Sequence, residues 1–267
     1  MIPIRDTVRS YSFPVVNWLL IGLNLLVFLY EAMLSPARLN HLIATYGLIP
    51  AHLHLNDAQW ILTHPLVLAT IFTSMFLHGG WFHVISNIWF LYIFGDNVED
   101  RMGSIRYLFF YLASGLVAGL AQAFVLSDSQ LPNIGASGAI AGVLGAYLLM
   151  FPKGRVVTLI LFFILPWFIE IPAIFYLGLW FVTQIVSGIS LLNLPDAINA
   201  GGVAWWAHIG GFVFGLVFYR FFYSPVPPGG DTPAPGRISF LVIWQMIRAG
   251  SHGFFIILSR NGNEFMD

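Results

Sequence analysis

The sequence predicts an all-α polytopic membrane protein, a bundle of six transmembrane helices with a long external first loop. Three observations predict it. Of the 267 residues, 58% are hydrophobic and only 9% are charged, and mean hydropathy is +0.81. A soluble domain carries about 25% charged residues, so there is too little polar surface here to cover a globule in water. Six apolar stretches reach or approach the roughly 20 residues needed to cross hydrocarbon. The basic residues also fall almost entirely on one side when the chain is threaded through the bilayer.

The first stretch runs from about Val15 to Leu34. It is read as a retained span, because no small-residue cleavage site follows a short apolar run. The second covers about Gly80 to Phe94, with the apolar Leu66–Leu77 leading into it. The third is about Ile105–Leu126 and the fourth about Gly135–Phe151. The fifth lies within Val156–Ser187, too long for one simple span and interrupted by Pro166 and Pro172. Proline breaks helix interiors, so the helix is expected at Phe168–Ser187 with an irregular apolar connector before it. The sixth is about Val203–Tyr223.

Residues 1–223 thus make one membrane domain. Residues 224–236 hold five prolines and three glycines and read as a linker. Residues 237–267 form a tail. Ile238–Leu258 is apolar enough for a seventh span, but Arg248 at its middle would cost about 2.5–3.5 kcal/mol on insertion scales. A surface-lying or disordered tail is expected instead.

With a cytoplasmic N-terminus and six spans, Arg5, Arg9, Arg101, Arg106, Lys153, Arg155, Arg220, Arg237, Arg248 and Arg260 lie inside and only Arg38 lies outside. That follows the positive-inside rule and puts both termini in the cytoplasm. The net charge of −1 leaves no electrostatic footprint for nucleic acid. With no cysteine, disulfide and thiolate chemistry are excluded.

In this topology the second, fourth and sixth spans all run from outside to inside. Each carries polar groups near its outer end: His83 and Asn87, Ser137, and His208. At about 1.5 Å per residue, all fall in the outer third of the membrane. Small residues at Gly138, Ala141, Gly142 and Gly145, and a Gly211-x-x-x-Gly215 pair, would let the fourth and sixth helices pack closely. Taken singly, a membrane serine bonds its own backbone and a glycine row is ordinary packing. The shared depth joins them into one candidate site.

Serine needs a base to become a nucleophile, and His208 is the only histidine of its span. No Asp or Glu lies in these three spans, and Glu170 should sit at the opposite face, so a Ser–His dyad is expected rather than a triad. His83 and Asn87, spaced i, i+4 on one helix face, could join the Ser137 N–H in binding an oxyanion. Gly135-Ala136-Ser137-Gly138-Ala139 is not a G-x-S-x-G elbow, and no H-E-x-x-H occurs. The loop histidines His41, His52, His54 and His64 show no convincing ligand set, so neither a metal nor another cofactor is expected.

These residues resemble the bacterial rhomboid family of intramembrane serine proteases. The likeness rests on Gly135-x-Ser137-Gly138, on Ala207-His208-x-x-Gly211-x-x-x-Gly215, and on His83-x-x-x-Asn87 preceded by Phe76-Leu77-His78-Gly79-Gly80. It spans about residues 1–223. It implies Ser137 as nucleophile and His208 as base. His83, Asn87 and the Ser137 N–H would bind the oxyanion, within a substrate-binding region that includes Gly135 and Gly138. His78 would be a supporting or water-holding residue beside the site. It further implies single-span membrane proteins as substrates, cut near their outer ends, with lateral access near the second and fifth spans. The location implied is a bacterial plasma (inner) membrane. Two departures stand out. The first loop has Trp60 but no adjacent arginine, and Ala141 replaces a tyrosine that in some members stacks on the catalytic histidine. The alternative reading is a non-catalytic binder of membrane clients, although such relatives usually lack the serine or histidine. A transporter using His208 as a proton relay would call for inverted repeats of broken helices, and none is visible.

Overall fold

The computed structural model describes residues 1–53, 57–162, 165–193 and 202–224. They belong to one compact unit, Met1–Gly230. The linker after Ser224, the tail and loop residue His54 lie outside the described residues. In chain order the elements are β1 (Ile2–Asp6), α1 (Val15–Ala32), α2 (Pro36–Tyr46), α3 (Ala58–Thr63), α4 (Pro65–Thr73), α5 (Trp81–Phe90), a π-helical segment (Leu91–Gly95), α6 (Asp96–Met102), α7 (Ser104–Val125), α8 (Ser137–Met150), β2 (Arg155–Phe162), β3 (Leu165–Pro172), α9 (Ala173–Leu192) and α10 (Trp205–Phe222).

Among the described residues, three helices are long and apolar enough to cross a bilayer: α1, α7 and α9. A fourth crossing is available if Pro65–Phe76 and Trp81–Met102, bent by 85° at their junction, count together. The six-span expectation is therefore not met by length alone. Helix α8 has only 14 residues, about 21 Å, because the chain before it stays irregular through the Pro132–Ala136 stretch. It lies in the middle of the bundle, with every residue from Gly138 to Tyr147 buried.

The core is built on backbone contact. A Cβ added at Gly211 would strike the carbonyl oxygen of Gly138, and one at Gly215 that of Gly142. From the other side, a Cβ at Gly145 would strike the carbonyl of Phe212. Helices α8 and α10 therefore touch main chain to main chain, as the small-residue rows predict. Helix α7 closes the third side, where Ala118 Cβ would lie 2.6 Å from a Cβ at Gly138.

Polar residues in α1 follow one stripe. Asn17, Asn24 and Glu31, seven residues apart, are all buried. Asn17 donates to Leu91 O at 3.0 Å and accepts from Tyr107 Oη at 2.8 Å. The Leu91 carbonyl opens the π-helical segment, where the widened turn presents backbone groups to side chains. Glu31 accepts the His78 N–H at 3.0 Å, which ties the loop before α5 to α1.

The connector before the fifth long helix is not irregular. It forms an antiparallel sheet of order β1-β2-β3, with Ile2 opposite Leu159 and Leu159 opposite Phe168. The run Val156-Val157-Thr158-Leu159-Ile160 is rich in β-branched residues, which favour strands. Pro166 is tolerated because β3 is an edge strand. Pro172 precedes the first turn of α9, so the helix begins at Ala173 rather than at Phe168 and ends at Leu192 rather than Ser187. Glu170 is accordingly a strand residue, 4.0 Å from Arg155, and does not start a helix. At the other end of β1, the Asp6 carboxylate accepts from Asn97 and Tyr147, both at 2.7 Å.

Backbone contact between α8 and α10 leaves no room for a methyl group. Gly215→Ala is expected to destabilise the fold by about 1–3 kcal/mol, read as a lower denaturation midpoint in detergent. Gly22→Ala, which meets nothing within 4 Å, should leave that midpoint within experimental scatter.

Candidate active site

Ser137 is the first residue of α8. The N–H groups of a first helical turn have no intrahelical acceptor, and the positive end of the helix dipole points there. The residue is reached through Gly135, whose φ of 123° is left-handed. The Gly135 N–H is anchored on Ser74 O at 2.9 Å. A Cβ at Gly135 would lie 2.6 Å from His83 Nε2, so glycine here provides both the turn and the space for an imidazole.

His208 lies in the first turn of α10 and is buried. Its Nε2 is 2.7 Å from Ser137 Oγ. The two side chains predicted to act together thus form a hydrogen bond between helices held by the glycine contacts. Its other ring nitrogen, Nδ1, is 2.8 Å from Gln184 Oε1 on α9. The rings of Trp180 and Trp205 flank it at 5.8 and 6.2 Å between centroids. These groups support the ring where Ala141 cannot.

His83 and Asn87 share the face of α5 that looks toward Ser137. The Gly79 N–H approaches His83 Nδ1 at 3.4 Å. That contact makes Nδ1 the acceptor and leaves Nε2–H as the donor. Asn87 Nδ2 is buried and has no hydrogen-bond partner, and it lies 3.8 Å from where a Gly135 Cβ would sit. Two N–H donors therefore face the Gly135–Ser137 corner. Together with Ser137 and His208 they line a cavity of about 530 Å³ that also includes Ile134, Trp180 and Ala204.

Gly138 faces α7 and α10, against Ala118 and Ala207, and serves packing. His78 is buried beside the site. Its ring meets His83 edge-on at 5.0 Å, and its Nδ1 is 3.2 Å from Phe76 O. Gln184 and Trp180 escaped the sequence reading. The signal was present: Thr183-Gln184 is a polar pair inside an apolar run, and polar groups in such runs are functional by default.

A Rhomboid domain profile matches residues 65–225, more than half of the chain. The chain belongs to the rhomboid family. It is therefore a multi-pass membrane protein of a protease family. Over 201 residues it is 26% identical to the human presenilin-associated rhomboid-like protein, mitochondrial, covering 72% of this chain and 45% of that one. Over 104 residues it is 33% identical to the Arabidopsis thaliana rhomboid-like protein 11, chloroplastic, covering 39% of this chain and 34% of the relative. Over 80 residues it is 32% identical to the putative rhomboid protease YdcA of Bacillus subtilis, covering 30% and 40%. The chain spans about half or less of the length of these rhomboid relatives. Two of these names carry different organelles, mitochondrial and chloroplastic, so membership does not fix which membrane this rhomboid occupies.

Gly135→Ala should push the His83 ring away from the corner it shares with Ser137. Capture of Ser137 by a fluorophosphonate probe is expected to slow about 100-fold, the scale of losing one oxyanion donor, with helix content by circular dichroism unchanged.

Proposed function

We propose that this rhomboid is an intramembrane serine endopeptidase that cuts transmembrane segments of other membrane proteins near their outer ends. The observation that carries the reading is the 2.7 Å contact between Ser137 Oγ and His208 Nε2, at a cavity that His83 and the unpartnered Asn87 Nδ2 also line. The relatives' names, which include a rhomboid protease, point the same way.

In this mechanism His208 Nε2 takes the Ser137 proton as Oγ attacks the scissile carbonyl carbon. Negative charge moves onto the carbonyl oxygen, beside His83 Nε2–H, Asn87 Nδ2 and the Ser137 N–H. Donors fixed in advance in a low-dielectric site stabilise that charge at no reorganisation cost. The C–N bond then breaks, and His208 returns the proton to the leaving amine. Water enters by the same path, with His208 again as base, and frees Ser137 from the acyl group.

The reading takes as its six spans α1, the α5–α6 unit with its π-helical segment, α7, α8, α9 and α10. All of them lie within residues 1–223, with both termini on the cytoplasmic side of a plasma membrane. Ser137 opens α8, His208 is three residues into α10, and Asn87 is six residues into α5. At about 1.5 Å per residue, these offsets put the chemistry within about 9 Å of the helix starts. Substrates are accordingly single-span proteins whose helix can unwind near its outer end.

Reconstituted protein should cleave a transmembrane substrate, and Ser137→Ala or His208→Ala should abolish cleavage. His83→Ala and Asn87→Ala should each lower kcat about 10²- to 10³-fold. Full cleavage by Ser137→Ala would refute the assignment. Client binding without cleavage by the wild-type protein would identify a non-catalytic binder.

A further inference from the structure

The dyad leaves one question of proton bookkeeping. Imidazole carries its single proton on either nitrogen, and His208 can accept from Ser137 only if Nε2 is bare. Nothing on α8 or α10 forces that choice. The group that meets Nδ1 is the side-chain oxygen or nitrogen of Gln184, and an amide can be turned either way. Which way it is turned decides whether the dyad can work.

The surroundings of Gln184 decide it. Its nitrogen lies 3.0 Å from Trp180 O and 3.1 Å from Thr183 Oγ1. Trp180 O is a carbonyl and can only accept, so an amide oxygen placed there would face another acceptor. The Thr183 hydroxyl gives its own proton to Trp180 O at 2.5 Å, which leaves it only lone pairs to offer Gln184. Both neighbours therefore require the NH₂ group on their side and turn Oε1 toward His208. That oxygen, 2.8 Å from Nδ1, can only accept. The proton of His208 must then sit on Nδ1, and Nε2 is left bare toward Ser137 Oγ. The direction of every hydrogen bond from Ser137 to Trp180 O follows from a single backbone carbonyl.

We propose that Gln184 is the positioning residue of this site. It selects the reactive tautomer of His208 and holds its ring plane, without touching substrate. The inference rests on the protease reading and adds a third member to the dyad. That member is an amide, where soluble triads use a carboxylate. The substitution suits the surroundings. Gln184 is buried on a helix that the rest of the protein leaves mostly uncovered, so its other faces would meet lipid. A charge there would need a partner or solvent, whereas the amide is satisfied by its own helix through Trp180 one turn back. Trp180 and Gln184, at i and i+4, supply ring contact and hydrogen bond from one helical face.

The test uses the full-length protein in liposomes, a fluorophosphonate probe and ¹⁵N-histidine NMR. Wild-type protein should label at Ser137, and absence of that label would count against the protease reading itself rather than against the role of Gln184. Gln184→Leu removes the acceptor at similar volume. Its labelling should slow at least about 10-fold, but by less than the roughly 10⁴-fold that the wrong histidine tautomer costs a triad protease. Protonated Gln184→Glu can repeat both bonds, with its hydroxyl on Trp180 O and its carbonyl on Nδ1, and should recover most of the rate. In wild-type protein the His208 signals should show Nδ1–H, and in Gln184→Leu a mixture of tautomers. Wild-type labelling by Gln184→Leu overturns the proposal, as does Gln184→Glu no faster than Gln184→Leu. An Nε2–H tautomer in the wild-type protein overturns it without any variant.

Discussion

Direct contact between the backbones of α8 and α10 is the constraint on which the rest of the molecule depends. Ser137 and His208 have short reaches, and their hydrogen bond exists only because Gly138, Gly142 and Gly145 face Gly211, Phe212 and Gly215 with nothing between. Such proximity gives up side-chain packing volume at the crossing. It gains van der Waals contact along the helices and a fixed distance at their ends. The same crossing makes α8 the buried axis of the bundle, which explains why a 14-residue helix can stand at the centre of a membrane protein. It is enclosed by other helices and need not match the lipid thickness by itself.

Around that axis, two buried carboxylates are held by backbone donors. Glu99 accepts the N–H groups of Val16 and Asn17, at 3.0 and 2.7 Å, and the Ser104 hydroxyl at 2.6 Å. It thereby fastens the start of α1 to the turn between α6 and α7. Glu31 does the same at the far end of α1 by holding His78. The loop carrying His78 and Gly79 then sets the tautomer of His83 through the Gly79 N–H. Two histidines in one site thus have their protons placed by different means, His83 by a backbone donor and His208 by an amide oxygen. Opposite tautomers follow, and they suit opposite tasks, since His83 presents an N–H and His208 a lone pair.

Much of this was legible in the sequence because it depends on spacing along single helices. Ser137, His208, His83 and Asn87 could be set at one depth from residue counts, and the glycine rows marked the crossing. What the sequence hid depends on contacts between distant segments. Gln184 sits in a span with no motif of its own, and its role arises only where α9 meets α10. The strands were hidden for a different reason. Val156–Ile169 is apolar except for Thr158, and periodicity cannot separate a strand from a helix in such a run. Pro166 and Pro172 suggest an irregular connector followed by a helix from Phe168, whereas they mark an edge strand and a helix start. Asn17, Asn24 and Glu31 carry a visible seven-residue rhythm, but the partners of Asn17 and Glu31 lie on α7, on the π-helical segment and in the loop before α5, while Asn24 bonds Leu20 O of its own helix.

The pairing of β1 with β2 has a consequence for biogenesis. Residues Ile2–Asp6 find their hydrogen-bonding partners at Val156–Leu159, and Asp6 also needs Tyr147 and Asn97. During synthesis the first strand emerges long before these partners exist. At about 5–20 residues per second, the ribosome needs roughly 8–30 s to go from β1 to β2. For that time β1 has no strand to pair with, while helices α1 to α8 are made. Closure of the sheet is then a late event that joins residues about 150 positions apart. Its assembly thereby becomes a checkpoint on whether the helices between its strands have packed correctly.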